Sequence, residues 1–167
     1  MDPMTGADRA SPALLRVFAV VYLTVQGAKV YLAATLDLHP DEAFYWLEAQ
    51  NLAWSYSDVP FLTPLLVKAG TMIAGDTSFG VRLVFLLLGA ALPFLVYRAA
   101  VRVGGAATAP VAALFSLLIP MLATLGLFAL PDVPLVVLST LCLIAVLRAL
   151  ERGTLTNWIV AGLIAGL

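Results

Sequence analysis

The chain has 167 residues, of which 62% are hydrophobic and only 11% are charged, and its formal net charge is -1. Soluble domains contain about 45–50% apolar and 25% charged residues, so this composition indicates a membrane protein. Disorder and nucleic-acid binding are excluded because both require many more charged residues. The single cysteine excludes an internal disulfide.

The hydrophobic runs divide the chain into segments of roughly 20 residues, the length that spans a bilayer. After a polar tail at 1–16, we predict a first span at 17–36. We read it as an uncleaved anchor, because a signal peptide has an apolar core of only about 7–15 residues. An outer loop at 37–78 follows, with most of the carboxylates and several prolines. The later segments are spans at 79–103, 106–130 and 135–150, an outer turn at 131–134, and a truncated fifth span at 155–167.

The basic residues determine the predicted orientation, because Lys and Arg near span ends favour the cytoplasm. With the N-terminus inside, six arginines are cytoplasmic, whereas only Lys68 and Arg82 are outside and Lys29 lies within the first span. The outer loop and the outer turn then share one face with seven of the ten carboxylates. The cytoplasmic arginines are Arg9, Arg16, Arg98, Arg102, Arg148 and Arg152.

Two acidic features lie on this outer face. Pro40 begins a predicted helix that extends to about residue 53, and Asp41 and Glu42 in its first turn face the positive end of the helix dipole. Asp132 lies in the short turn between two very apolar spans. A carboxylate at this position is energetically unfavourable unless it is solvated or has a functional role. Both features also have a purely structural explanation. Asp41 could simply stabilise the helix dipole, and Asp132 could accept a hydrogen bond from its own turn backbone.

Six aromatic residues between positions 44 and 61 make the outer loop unusually aromatic. Such rings prefer the interface between lipid and water, and one or two of them could instead stack against a sugar. Arg82 and Lys29 are the candidate cations for a phosphate, although each could simply extend its charge toward the lipid headgroups. His39 is interpreted as structural. The sequence shows no cluster with metal-ligand spacing, so no metal is predicted.

The stretch HPDEAFYW at 39–46 resembles the first outer-loop motif of the bacterial family-39-type glycosyltransferases, relatives of the protein O-mannosyltransferases and the lipid A aminoarabinose transferase. Three further pieces follow in the family's order: YSDVP at 56–60, GDTSFGVRL at 75–83 and LPDVP at 130–134. The resemblance covers roughly residues 12–167. The chain departs from the family pattern after Asp58, where VPF replaces the usual His-Pro-Pro.

The spans and the resemblance together imply an all-α, polytopic helical membrane protein, the N-terminal part of a class-C glycosyltransferase transmembrane bundle. The resemblance implies inverting transfer of a sugar from a polyprenyl-phosphate donor to a lipid, protein or glycan acceptor, at the outer face of a bacterial inner membrane. It makes Asp41 the catalytic base and Asp132 a second active-site acid, with Glu42 beside them. No cofactor is expected. The expected substrate-binding residues are Arg82, Lys29, Tyr45, Trp46 and Asp58.

Two other classes of function compete with this interpretation. A transporter or channel would place ionisable groups near the middle of the membrane, whereas the predicted third and fourth spans carry mainly Pro, Ser, Thr and Cys among their less apolar residues. A non-catalytic membrane scaffold is the third class. Because the fifth span is cut short, we expect these 167 residues alone to be inactive.

Overall fold

The structure is a computed structural model that describes residues 11–56 and 60–167, and this part of the chain forms eight helices and no strand. The predicted all-α fold class is therefore confirmed. In chain order the helices are α1 (Pro12–Thr35), α2 (Pro40–Gln50), α3 (Leu62–Ala74), α4 (Ser78–Gly104), α5 (Ala109–Leu118), α6 (Pro120–Thr124), α7 (Asp132–Arg152) and α8 (Leu155–Ala165).

Three helices in the described part of the chain, α1, α4 and α7, are long and apolar enough to cross a membrane. Helices α3, α5 and α8 are apolar but shorter. The predicted outer loop at 37–78 includes α2 and α3, which pack against each other. Helix α2 begins at Pro40, as its sequence pattern predicts, and ends at Gln50, slightly before the expected end.

The predicted third span at 106–130 is not one helix. Helix α5 ends at Leu118, and Ile119 has extended backbone angles (φ -74, ψ 116). The cause is Pro120, which lacks an N–H, clashes with the preceding helical turn and forces the residue before it out of the α region. After the short α6, residues 125–131 are non-helical and lead directly into α7. We call residues 125–131 the connection.

The chain packs as two compact units. Unit 1 comprises residues 11–25, 92–123 and 138–167 of the described chain. Inside it, the ring of Phe94 meets the rings of Phe18 and Tyr22 edge-on, with centroids 6.0 Å and 5.2 Å away. These contacts pack aromatic surface from the N-terminal helix against α4.

Unit 2 comprises residues 26–91 and 124–137, apart from 57–59, which lie outside the described residues. Its apolar core includes Ala33 of α1, Leu86 of α4 and Leu127 of the connection. Partly buried side chains, including Phe79 and Phe128, pack against that core. Unit 2 contains both acidic features predicted from the sequence, the pair Asp41 and Glu42 and the residue Asp132.

Candidate functional site

The N-terminus of α2 is capped so that its two acidic residues have different surroundings. His39 is the N-cap residue, with extended backbone angles, and its ring Nδ1 accepts a hydrogen bond from the Asp41 backbone N–H at 3.4 Å. The Glu42 Oε2 accepts from the His39 backbone N–H at 2.9 Å. This reciprocal arrangement is a capping box. Glu42 is completely buried, while the Asp41 side chain is 62% exposed.

Glu42 forms a bidentate ion pair with Arg82 of α4, and both side chains are fully buried. The Arg82 Nε donates to Glu42 Oε1 at 2.8 Å, and Nη2 donates to Oε2 at 2.5 Å. Two parallel hydrogen bonds between a guanidinium and a carboxylate give both strength and a fixed orientation. The pair therefore attaches the beginning of α2 to α4.

Arg82 also caps the end of α1, which leaves carbonyl groups without helical partners. Its Nη1 donates to the carbonyl oxygens of Ala33 and Leu36, at 3.1 and 2.9 Å, and its Nη2 donates to that of Asp37 at 2.8 Å. Together with the two bonds to Glu42, these account for all five N–H donors of an arginine. The guanidinium carbon lies 5.4 Å from the Phe128 ring centroid, a cation–π contact.

Glu42 holds the connection as well, because its Oε1 accepts from the Ala129 backbone N–H at 2.9 Å. Burial by itself raises the pKa of Glu42, but the hydrogen bonds from Arg82, Ala129 and His39 and the Arg82 charge outweigh it. The net result is a pKa below the ordinary value for glutamate. The carboxyl group is therefore ionised at neutral pH and bonds three segments of unit 2.

We expect acid to remove this stabilisation. Because the pKa of Glu42 is lower in the folded state, its contribution is fully present above the unfolded value of 4.5 and is lost as the pH falls through the folded value. Thermal unfolding in detergent from pH 7 to pH 3 would measure the loss. E42Q should lack this component of the pH dependence, whereas the control E48Q, on the same helix but outside the Arg82 contacts, should retain it. An E42Q curve parallel to wild type below pH 4.5 would contradict the assignment.

The exposed carboxylates Asp41 and Asp132 act on the same tyrosine through their charge. The Tyr45 side chain, one helical turn after Asp41, is 9% exposed. Its pKa is raised first by burial and then by the negative charges of Asp41 and Asp132. Since salt screens an exposed charge beyond about 10 Å, these three predicted site residues lie within electrostatic range of one another in unit 2. Carboxylates that are accessible to solvent, as Asp41 and Asp132 are, can exchange protons with a bound hydroxyl group.

The other predicted site residues have different placements. Trp46 is half-buried, and its Nε1 donates to Asp76 Oδ1 at 3.2 Å, which links α2 to the segment before α4. The Lys29 ammonium is buried and donates to the Leu125 carbonyl oxygen at 2.7 Å, instead of extending to the lipid headgroups. Asp58 lies outside the described residues. Across 11–56 and 60–167, no group of three or more His, Cys, Asp or Glu could hold a metal ion.

Sequence reasoning missed the connection as part of this site. Its Phe128 ring packs over Arg82 and also lies edge-on to the His39 ring, with centroids 6.4 Å apart. Its Ala129 N–H bonds Glu42. The sequence contains a signal for it, because the connection includes Gly126 and Pro131, and neither residue favours the interior of a spanning helix.

Comparison with known proteins identifies a matching family model. None of the curated proteins and none of the solved structures gave a match. A family model matches residues 58–167, which include Arg82 and Asp132 and begin after Asp41 and Glu42. Because this match covers well over half of the chain, the protein belongs to the dolichyl-phosphate-mannose-protein mannosyltransferase family of membrane glycosyltransferases.

Proposed function

We propose that the full-length protein transfers a hexosyl or pentosyl group from a polyprenyl-phosphate donor to an acceptor hydroxyl at the outer face of the membrane. The observation that carries this proposal is that unit 2 holds two exposed carboxylates, Asp41 and Asp132, each in the first turn of a helix. Their charges add to the effect of burial in raising the pKa of Tyr45. Asp41 lies at the N-terminus of α2, which follows the long apolar helix α1. Asp132 lies at the N-terminus of α7, which is itself long and apolar. The family match supports glycosyl transfer as the class of reaction.

The chemistry requires one base and a leaving group. Asp41 accepts the proton of the acceptor hydroxyl, whose oxygen then attacks the anomeric carbon from the face opposite the phosphate. The new bond between the acceptor oxygen and the anomeric carbon forms as the old carbon–oxygen bond to phosphate breaks, so the configuration inverts. The lipid phosphate leaves with the bonding electrons. General base catalysis of this kind contributes about 10²–10⁴-fold.

Asp132 and Tyr45 complete the site beside Asp41. We assign Asp132 as a second active-site acid that orients the acceptor or the sugar hydroxyls, and the Tyr45 ring as part of the sugar-binding surface. Trp46 and Asp58 remain predicted substrate-binding residues. Tyr45 and Trp46 belong to α2, so one short helix would supply the base and the aromatic contacts.

Arg82 and Glu42 have a positioning role in this proposal. Arg82 has five N–H donors and makes five hydrogen bonds within unit 2, so it has no donor left for a phosphate oxygen. Glu42 likewise has both oxygens bonded inside the protein. We therefore assign this pair to holding Asp41 at the head of α2, in place of the catalytic and phosphate-binding roles expected from the sequence.

We place the full-length protein in a bacterial inner membrane with its N-terminus in the cytoplasm and the site toward the periplasm. The test is transfer of radiolabelled sugar by the full-length protein in liposomes that contain a polyprenyl-phosphate sugar. Labelled lipid, protein or glycan acceptor supports the proposal, and the anomeric configuration of the product tests inversion. Transmembrane flux of a solute without any glycosyl product, across several donor sugars, would indicate a transporter instead.

A further inference from the structure

Lys29 makes a contact that the proposed chemistry does not use. It lies in α1, within a helix long and apolar enough to span the membrane, and only 4% of the residue is exposed. Its ammonium group donates to the Leu125 carbonyl oxygen at 2.7 Å, across 96 residues of sequence. A charged donor gives a short and strong hydrogen bond. The lysine therefore bonds α1 to the connection.

The backbone at Leu125 needs such a donor because the connection is non-helical. A carbonyl group that is shielded from water and has no partner is strongly unfavourable in an apolar environment. The chain is also pressed against α4 at this point: a Cβ atom on Gly89 would lie 2.3 Å from the Leu125 oxygen. Gly126 follows with a φ of +88, and a Cβ there would lie 2.4 Å from the Phe85 oxygen. The Leu125 carbonyl is therefore held close to α4, where Lys29 reaches it.

The other end of the connection is bonded by a buried charge of opposite sign. Glu42 accepts from the Ala129 N–H at 2.9 Å. Helix α7 begins directly after the connection, at Asp132, and its first turn is tied back by the bond from the Val133 N–H to the Leu130 carbonyl oxygen at 3.1 Å. With the connection bonded at both ends, the start of α7 has a fixed place relative to α2.

We infer that Lys29 is a positioning residue that fixes Asp132 opposite Asp41 by anchoring the connection to α1. The inference rests on the proposed function for the role of Asp132, but the anchoring itself does not depend on any activity. It replaces the expectation that Lys29 contacts the donor phosphate. Loss of the anchor should let the start of α7 move relative to α2 while the ion pair of Glu42 and Arg82 stays formed.

The first test measures this movement in the full-length protein. Spin labels at Leu47 in α2 and Leu135 in α7, both exposed, are introduced in a C142S background, and the distance between them is measured by pulsed electron paramagnetic resonance. K29M should broaden or shift the distance distribution, whereas K29R, which keeps a charged donor, should restore much of it. The control K68M removes a half-buried lysine from α3 and should leave the distribution as in wild type. A wild-type distribution in K29M would overturn the inference.

A second variant breaks the same contact from the other side. G126A strains the backbone at a positive φ and displaces the Leu125 carbonyl, while Lys29 stays in place. It should broaden the same distance distribution. If K29M does not fold, G126A alone decides: a distribution identical to wild type would overturn the inference.

The kinetic test separates positioning from phosphate binding. A displacement of about 1 Å at a catalytic group can cost about 10²-fold in rate, so K29M should lower kcat by roughly 10- to 100-fold and leave the donor KM unchanged. A raised donor KM with an unchanged kcat would assign Lys29 to the donor phosphate and overturn the inference. If the wild-type protein transfers no sugar, the proposed function fails, and the distance measurements still decide the anchoring.

Discussion

D41N in the full-length protein should lower kcat for sugar transfer by about 10²–10⁴-fold, the contribution expected of a general base. Asparagine has nearly the same shape but cannot accept the acceptor's proton. The fold should be unaffected, because the Asp41 side chain is mostly exposed and the helix cap uses its backbone N–H. The thermal unfolding midpoint should therefore stay close to that of wild type.

The matched control for this variant is E48Q, which removes a carboxylate from the same helix. It should keep wild-type turnover, because Glu48 is not a partner of Arg82 and its charge is not one of those that raise the pKa of Tyr45. D132N should lower kcat as well. Turnover by D41N equal to that of wild type would eliminate Asp41 as the base, while unchanged turnover by D132N would eliminate only the second acid.

The second large effect is on stability. E42Q and R82M should each destabilise the protein by about 3–5 kcal/mol, because each leaves one charge buried without its partner. The cost is high at this position because both side chains are completely buried and Arg82 also bonds three carbonyl groups at the end of α1. Reversible unfolding in mixed micelles measures the free energy of unfolding for each variant.

A double-mutant cycle distinguishes the ion pair from two independent effects. The E42Q/R82M double variant should be clearly less destabilised than the sum of the single variants, since it leaves no unpaired buried charge. R82K gives a further comparison: lysine keeps the charge but has three donors for the five acceptors, so an intermediate loss is expected. Strict additivity in the cycle would refute the coupling between Glu42 and Arg82.

Asp41 and Glu42 are adjacent in sequence but have opposite surroundings. Asp41 is exposed and Glu42 is buried, although both lie in the first turn of the same helix. Successive helical residues point about 100° apart, so the capping box that turns Glu42 inward leaves Asp41 outward. The stability variants should therefore reduce activity through the position of α2, whereas D41N should reduce activity without a loss of stability.

The sequence predicted the beginning of α2 correctly because the signals there are local. Pro40 has the fixed φ of a first helical residue, and the acidic residues that follow suit the helix dipole. The predicted third span is not one continuous helix, and the reason is also local: Pro120 interrupts the helix within the apolar stretch at 106–130. In the structure, α5 ends just before Pro120, and Gly126 takes a positive φ within the non-helical connection.

What the sequence determined by itself was the class of the protein: apolar runs of bilayer length, an acidic loop at 37–78 and motifs that resemble those of the glycosyltransferase family. These properties depend on residues near one another in the chain. Only the tertiary structure decided which charges are buried and paired, since Arg82 meets Glu42 across 40 residues and Lys29 meets Leu125 across 96. Both cations had been expected to face a phosphate. In the folded protein Arg82 instead binds the Glu42 carboxylate and backbone carbonyl groups, and Lys29 binds the Leu125 carbonyl. A buried charge or carbonyl group without a partner is energetically unfavourable.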